Sequence, residues 1–250
     1  MQGGSSSLKY KALFEGAGVA IWDCDFSRVH ETLEKTRKNN PDLRRYLLEH
    51  PELVRQCIAT IRVRDVNERT VSLYRAQSKE ELKARLGELF PPESERVFAE
   101  EFLALYEGKR HFQDHKAVLA LDGEKLCVLA TVTAVPGGRP LENVIVSVMD
   151  VTVQEKAREA IKESEAKFRD IFERNVVAMN LWDAEGRVLQ ANEAFLHLTG
   201  YTREDVEAGL LHCDMLTAED DWRASAQARS RALEAGKFEP FAKDIISRDG

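Results

Sequence analysis

The stretch YKALFEGAGVAIWDCDFS (residues 10–27) returns later in the chain as FRDIFERNVVAMNLWDAE (168–185). Each opens on an aromatic and a basic residue, runs through LFE or IFE, and reaches Val-Ala. Further along, VRDVNERTVSLY (63–74) lies over VLQANEAFLHLT (188–199), setting Asn67 against Asn192, and ALDG (120–123) lies over SRDG (247–250). Two copies of one domain account for these matches better than a single large fold. The first copy carries an extra segment, about residues 28–60, rich in helix formers and interrupted at Pro41 and Pro51. It reads as a helical insertion between the first two strands, with Leu47, Leu48, Leu53, Val54 and Ile58 as its apolar surface.

In the first copy VAIWDCDF and IRVRDV read as strands, NERTVSLYRA and SKEELKARL as short helices, and SERVFAEEFLALYEGK as a longer one. Ser78 and Glu81 have capping-box spacing, as do Thr202 and Asp205 in the second copy. HFQDHKAVLAL, KLCVLATVTAV and NVIVSVMDV complete an antiparallel meander, its last two strands joined through a Pro-Gly-Gly turn. The fold class is therefore α+β, a five-stranded antiparallel sheet with helices on one face. At the chain end, FAKDIISRDG (241–250) reads as a strand entering an Asp-Gly turn. Nothing follows it, so the second domain is expected to lack its last two strands.

With 250 residues, 43% hydrophobic and 32% charged, the chain has the composition of globular domains. Its longest apolar stretches, CVLATVTAV (127–135) and VIVSVM (144–149), are about half the ~20 residues of a membrane helix. No membrane contact is expected. A net charge of -7 with mixed signs argues against a nucleic-acid surface. Four scattered cysteines without a C-x-x-C pair read as reduced thiols of a cytoplasmic protein.

The order of elements, with Asn opening the first short helix, LTGYTREDV (198–206) and MDVT (149–152) before a charged helix, resembles the PAS sensor family over nearly the whole chain. The first copy departs from the pattern through its insertion and through LYRAQSKEEL (73–82) where the second has Gly-Tyr. The opening MQGGSSS has flexible-linker composition, so a disordered tail is expected at 1–9. The resemblance implies a first PAS domain at 10–152, a connecting helix at 153–167 and a second PAS domain at 168–250. It implies sensory modules that bind a small molecule or a partner and bias an output domain downstream. It also implies that Asp150 and Thr152 form the closing motif that couples the last strand to the outgoing helix. The expected function is the tandem sensory region of a bacterial sensor histidine kinase, with no catalytic site of its own. A sensor of a cyclic-dinucleotide synthase or hydrolase, and a ligand-free dimerising scaffold, are the alternatives.

In the connector, Ala157, Ile161, Ser164, Phe168 and Ile171 recur at spacings of four and three. That is a homodimeric coiled-coil seam, or an amphipathic helix lying on its own domain.

Candidate cavity residues are Trp22, His111 and Cys127 in the first copy and Asn180, Trp182 and His197 in the second; apolar walls with a few polar groups are the general pattern of ligand sites. Trp22, Trp182 and Trp222 are also natural core residues. His111 and His115 share one face of a strand, but no third metal or haem ligand accompanies them, and they read as an exposed pair. His197 and His212 could face the second cavity. Cys213 lacks the Asn-Cys-Arg context of flavin-adduct sensors, and His30 lacks the proline spacing of a phosphoacceptor box. No phosphate-binding loop, nucleophile elbow or H-E-x-x-H is present. The sequence names no cofactor and no metal.

Overall fold

The computed structural model describes residues 3–236, 240 and 242–249. The chain divides into two compact units, Met1–Ala157 and Arg158–Gly250.

Unit 1 opens on helix α1 (Gly3–Glu15) where a disordered tail over 1–9 was expected. Glycine and serine are poor helix formers, but Phe14 is buried and fixes the last turn. Once a turn is fixed, each further residue adds a hydrogen bond at little cost. Strand β1 (Ala20–Asp25) then turns Ala20, Trp22 and Cys24 inward. The insertion follows as α2 (Ser27–Asn39), α3 (Leu43–Glu49) and α4 (Pro51–Thr60). Its two prolines work as punctuation. Pro41 lies in the break before α3, where Asp42 accepts the Arg45 N–H as N-cap, and Pro51 occupies the first turn of α4, where its missing N–H costs nothing. Leu47, Val54 and Ile58 are buried in the main core, Leu53 packs against it, and Leu48 is exposed.

Strand β2 (Arg62–Val66) returns beside β1, followed by α5 (Glu68–Leu73), α6 (Lys79–Ala84), two 3-10 turns and α7 (Glu95–Tyr106). Strands β3 (His111–Leu119), β4 (Lys125–Ala134) and β5 (Val144–Asp150) complete an antiparallel sheet in the order β2-β1-β5-β4-β3. The β3–β4 hairpin turns at Asp122-Gly123, Gly123 adopting the positive φ of 89° that this turn demands. Helix α7 is buried nearly all round, because the sheet lies on one side and the insertion on the other.

Helix α8 (Thr152–Arg174) carries the chain from unit 1 into unit 2. There β6 (Asn180–Trp182) and β7 (Val188–Ala191) form a hairpin, followed by α9 (Glu193–Thr199), α10 (Arg203–Glu207) and α11 (Trp222–Ala235). The Thr202–Asp205 capping box forms in full. In unit 1 only half of it does. Ser78 Oγ accepts from Glu81 N, but the Glu81 carboxylate takes the N–H of Gln77 instead. The strand expected over FAKDII is reduced to a single bridge between Thr217 and Ile245, residue 241 lying outside the described residues, as does Gly250 of the Asp-Gly turn. Trp222 does not enter the core; its ring is half exposed and its indole N–H donates to Thr217 O at 2.9 Å.

Candidate functional site

The same polar node holds each unit together. Asn67 Oδ1 accepts from Ile21 N and Thr70 N, both at 3.0 Å, while Nδ2 donates to Phe14 O at 3.0 Å and Val19 O at 2.9 Å. Asn192 repeats the pattern with Met179 N and Phe195 N as donors and Phe172 O and Val177 O as acceptors, each at 2.9 Å. Both asparagines are 0% exposed. The cap role expected of them is real, and the amide also ties the incoming helix to the first strand.

Between sheet and helices, unit 1 holds a cavity of about 50 Å³. Strand alternation sends even-numbered residues into it: Trp22 and Cys24 from β1, Lys116 and Val118 from β3, Val128 and Ala130 from β4, Val146 and Val148 from β5. Tyr74, Phe90 and Phe98 close the helical side. Trp22 meets Tyr74 edge-on at 5.3 Å between centroids, and Phe90 meets Phe98 likewise at 4.8 Å, both favourable aromatic geometries.

Within this apolar shell lies an ion pair. Lys116 Nζ donates to Glu101 Oε2, the two side chains being 4% and 1% exposed, and the ammonium sits 4.0 Å from the centroid of the Phe98 ring. Burial pushes the Glu101 carboxyl above the usual carboxylate range, against the opposing pull of Lys116. The Cys24 thiol is likewise pushed up by burial. The sequence reading missed this pair, although periodicity marks it. Lys116 has the inward parity of Val118, and Glu101 falls on the face of α7 that carries Phe98 and Leu105.

Of the residues singled out in the first copy, Trp22 lines the cavity. His111 and Cys127 do not, because their odd parity turns them to the opposite face of the sheet. His111 Nδ1 lies 3.1 Å from Thr133 Oγ1 on that outer face, which it shares with His115. His115 Nε2 in turn lies 3.6 Å from Glu155 Oε1 on α8. Cys127 instead meets the closing motif. Its N–H donates to Thr152 Oγ1 at 2.9 Å, its carbonyl accepts from Val151 N at 2.9 Å, and Asp150 Oδ1 accepts Thr152 N at 2.9 Å.

Unit 2 holds a pocket of about 260 Å³ with Asn180 and Trp182 in its wall beside Phe195, Cys213, Arg229 and Lys243. His197 is exposed, since the buried face of α9 carries Phe195, Leu196 and Thr199. The His212 ring is engaged elsewhere, with Nε2 2.7 Å from Glu185 O. Burial raises the Cys213 thiol. No group of three His, Cys, Asp or Glu side chains placed to hold a metal occurs among the described residues.

On α8, Phe172 is buried, whereas Ile161 (59% exposed), Phe168 and Ile171 (63%) project outward. No helix among the described residues is long and apolar enough to cross a membrane.

A matching first hairpin and a repeated asparagine node in both units, with a five-stranded antiparallel sheet over a cavity in unit 1, define the fold, and the PAS domain family matches residues 58–153 and 176–250. The chain belongs to that family. It is 34% identical over 80 residues to the sensor histidine kinase TmoS of Ectopseudomonas mendocina, a match spanning 32% of this chain and 8% of that protein. Similar solved structures include a sensory box histidine kinase/response regulator from Burkholderia thailandensis E264 (15% identity, 64% of this chain and 98% of that one, TM-score 0.40). Another is a domain of a sensory box sensor histidine kinase/response regulator from Geobacter sulfurreducens (18%, 58% and 94%, TM-score 0.38).

Proposed function

We propose that the chain is the tandem sensory region of a cytoplasmic bacterial sensor histidine kinase, in which occupancy of the unit 1 cavity biases helix α8 and, through it, an output domain. One observation carries this reading. Val128 of β4 stands in the cavity wall while the backbone of its neighbour Cys127 holds Thr152, the first residue of α8. A shift of β4 that accommodates a ligand therefore moves the anchor of the helix. The identity with a sensor histidine kinase favours that output over a cyclic-dinucleotide enzyme. Crowding the cavity by Ala130→Val is expected to speed amide exchange of residues 153–156 several-fold; unchanged exchange in a folded variant would sink the coupling.

The outward Ile161, Phe168 and Ile171 support pairing of two chains along α8. Sedimentation of the 250-residue chain should show a dimer that Ile161→Glu with Ile171→Glu converts to monomer. A wild-type monomer at all concentrations would refute the seam and leave the cavity reading intact.

A further inference from the structure

We propose that the unit 1 cavity selects small net-neutral molecules whose polar head both donates and accepts hydrogen bonds, a primary amide being the type case, with Glu101 and Lys116 as the selecting residues. The inference rests on the ligand-sensing reading above and assigns the ligand's chemical class. The cavity wall is mostly aliphatic and aromatic, and its charged groups are one buried carboxylate and one buried ammonium in mutual contact. Together they are neutral. A ligand carrying a net charge would add an uncompensated ion to this shell, which burial penalises. A purely apolar ligand would leave the pair unassisted. The ammonium has three donors and no acceptor, and an ionised carboxylate accepts at about four lone-pair sites, more capacity than their single mutual bond uses. A head that accepts from Lys116 and donates to Glu101 uses that capacity without changing the net charge. An ether or ketone satisfies only the lysine, and a methyl group neither.

Size narrows the class further. A cavity of about 50 Å³ is well below the ~150 Å³ of an engineered cavity that holds benzene. Trp22, Tyr74, Phe90 and Phe98 therefore restrict the ligand to a few heavy atoms.

The test uses isosteres on the intact 250-residue chain at neutral pH: propionamide, propionate and n-propylammonium followed by protein NMR at the Trp22 indole, with xenon as an apolar probe of the same space. Propionamide is expected to bind at least tenfold tighter than either ion. In the double variant Glu101→Met, Lys116→Met, which removes both charges together so that no lone ion is left buried, propionamide should weaken at least tenfold while xenon still binds. Equal binding of the ions, or unchanged propionamide affinity in the double variant, overturns the proposal. Xenon binding without propionamide binding overturns it too, leaving the cavity as a site for another class. If neither xenon nor propionamide enters, the ligand-sensing reading of this cavity falls with it.

Discussion

The side-chain amide of Asn67 donates to the main-chain oxygen of Phe14 at 3.0 Å, so the last turn of α1 is fastened to the first turn of α5 through one residue. Removing that residue leaves the Ile21 N–H and the Phe14 and Val19 carbonyls without a partner in a buried site, each costing about 1–3 kcal/mol. Asn67→Ala is therefore expected to destabilise unit 1 by at least 3 kcal/mol in urea unfolding, with α1 amides exchanging first. Asn67→Asp should be no better. It keeps the acceptor but points a carboxylate at two carbonyls. A loss under 1 kcal/mol for either variant would contradict the node.

Glu101 and Lys116 should behave as a unit. Breaking a buried pair from one side costs about 3–5 kcal/mol, whereas replacing both partners is near neutral. Lys116→Met alone is thus expected to be severely destabilising and its combination with Glu101→Met much milder. The pH dependence has a definite sign. A carboxyl raised in the folded state binds more protons there than in the unfolded chain, so its contribution is present at low pH and fades as pH rises through its folded value. Lys116→Met removes the opposing pull, so this variant should gain stability relative to wild type on acidification from pH 8 to pH 5. The opposite trend in paired urea titrations would refute the assignment.

Arg75 holds φ at 53°, and Gly200, at the matching place in unit 2, holds 75°. A side chain in the left-handed region is strained where glycine is not. The Arg75 guanidinium is also paired with Asp122 and Glu124 across the hairpin turn, bridges that are exposed. Arg75→Gly and Arg75→Ala lose those bridges alike, so their difference isolates the backbone. The glycine variant should melt about 2–4 °C above the alanine variant. Equal melting temperatures would show that the backbone is unstrained.

Thr152→Val removes the acceptor of the Cys127 N–H while keeping the side chain's shape. Overall stability should fall by only about 1–2 kcal/mol, yet exchange at the start of α8 should rise markedly against that of β3. Uniform change across both elements would mean the threonine serves general packing.

Repetition made the architecture legible. A single strand pattern is weak, but the same order twice, with Asn67 over Asn192, left one fold that fits both copies. Pleat parity would have sorted the site further. His111 and Cys127 were chosen for chemistry, and their odd positions on β3 and β4 place them outward, whereas Lys116 has inward parity within a run of exposed polar neighbours. What alternation along one strand does not disclose is the partner. Glu101 meets Lys116 only because α7 crosses β3 at that residue, a tertiary fact. The helix over 3–15 was missed because Gly and Ser dominate its start while the residue that secures it, Phe14, lies at its end.

The connection between the first two strands is a short turn through Gly186 in unit 2 (β6 to β7) and three helices in unit 1 (β1 to β2). In unit 1 those helices brace the back of α7 through Arg44–Glu100, Arg55–Glu95 and Tyr106–Glu34 as well as through apolar packing. The roof of the first chamber is thus double-walled. Trimming residues 28–60 to a hairpin would bare the apolar back of α7 to water and invite clumping, so the two sensors are not interchangeable cassettes.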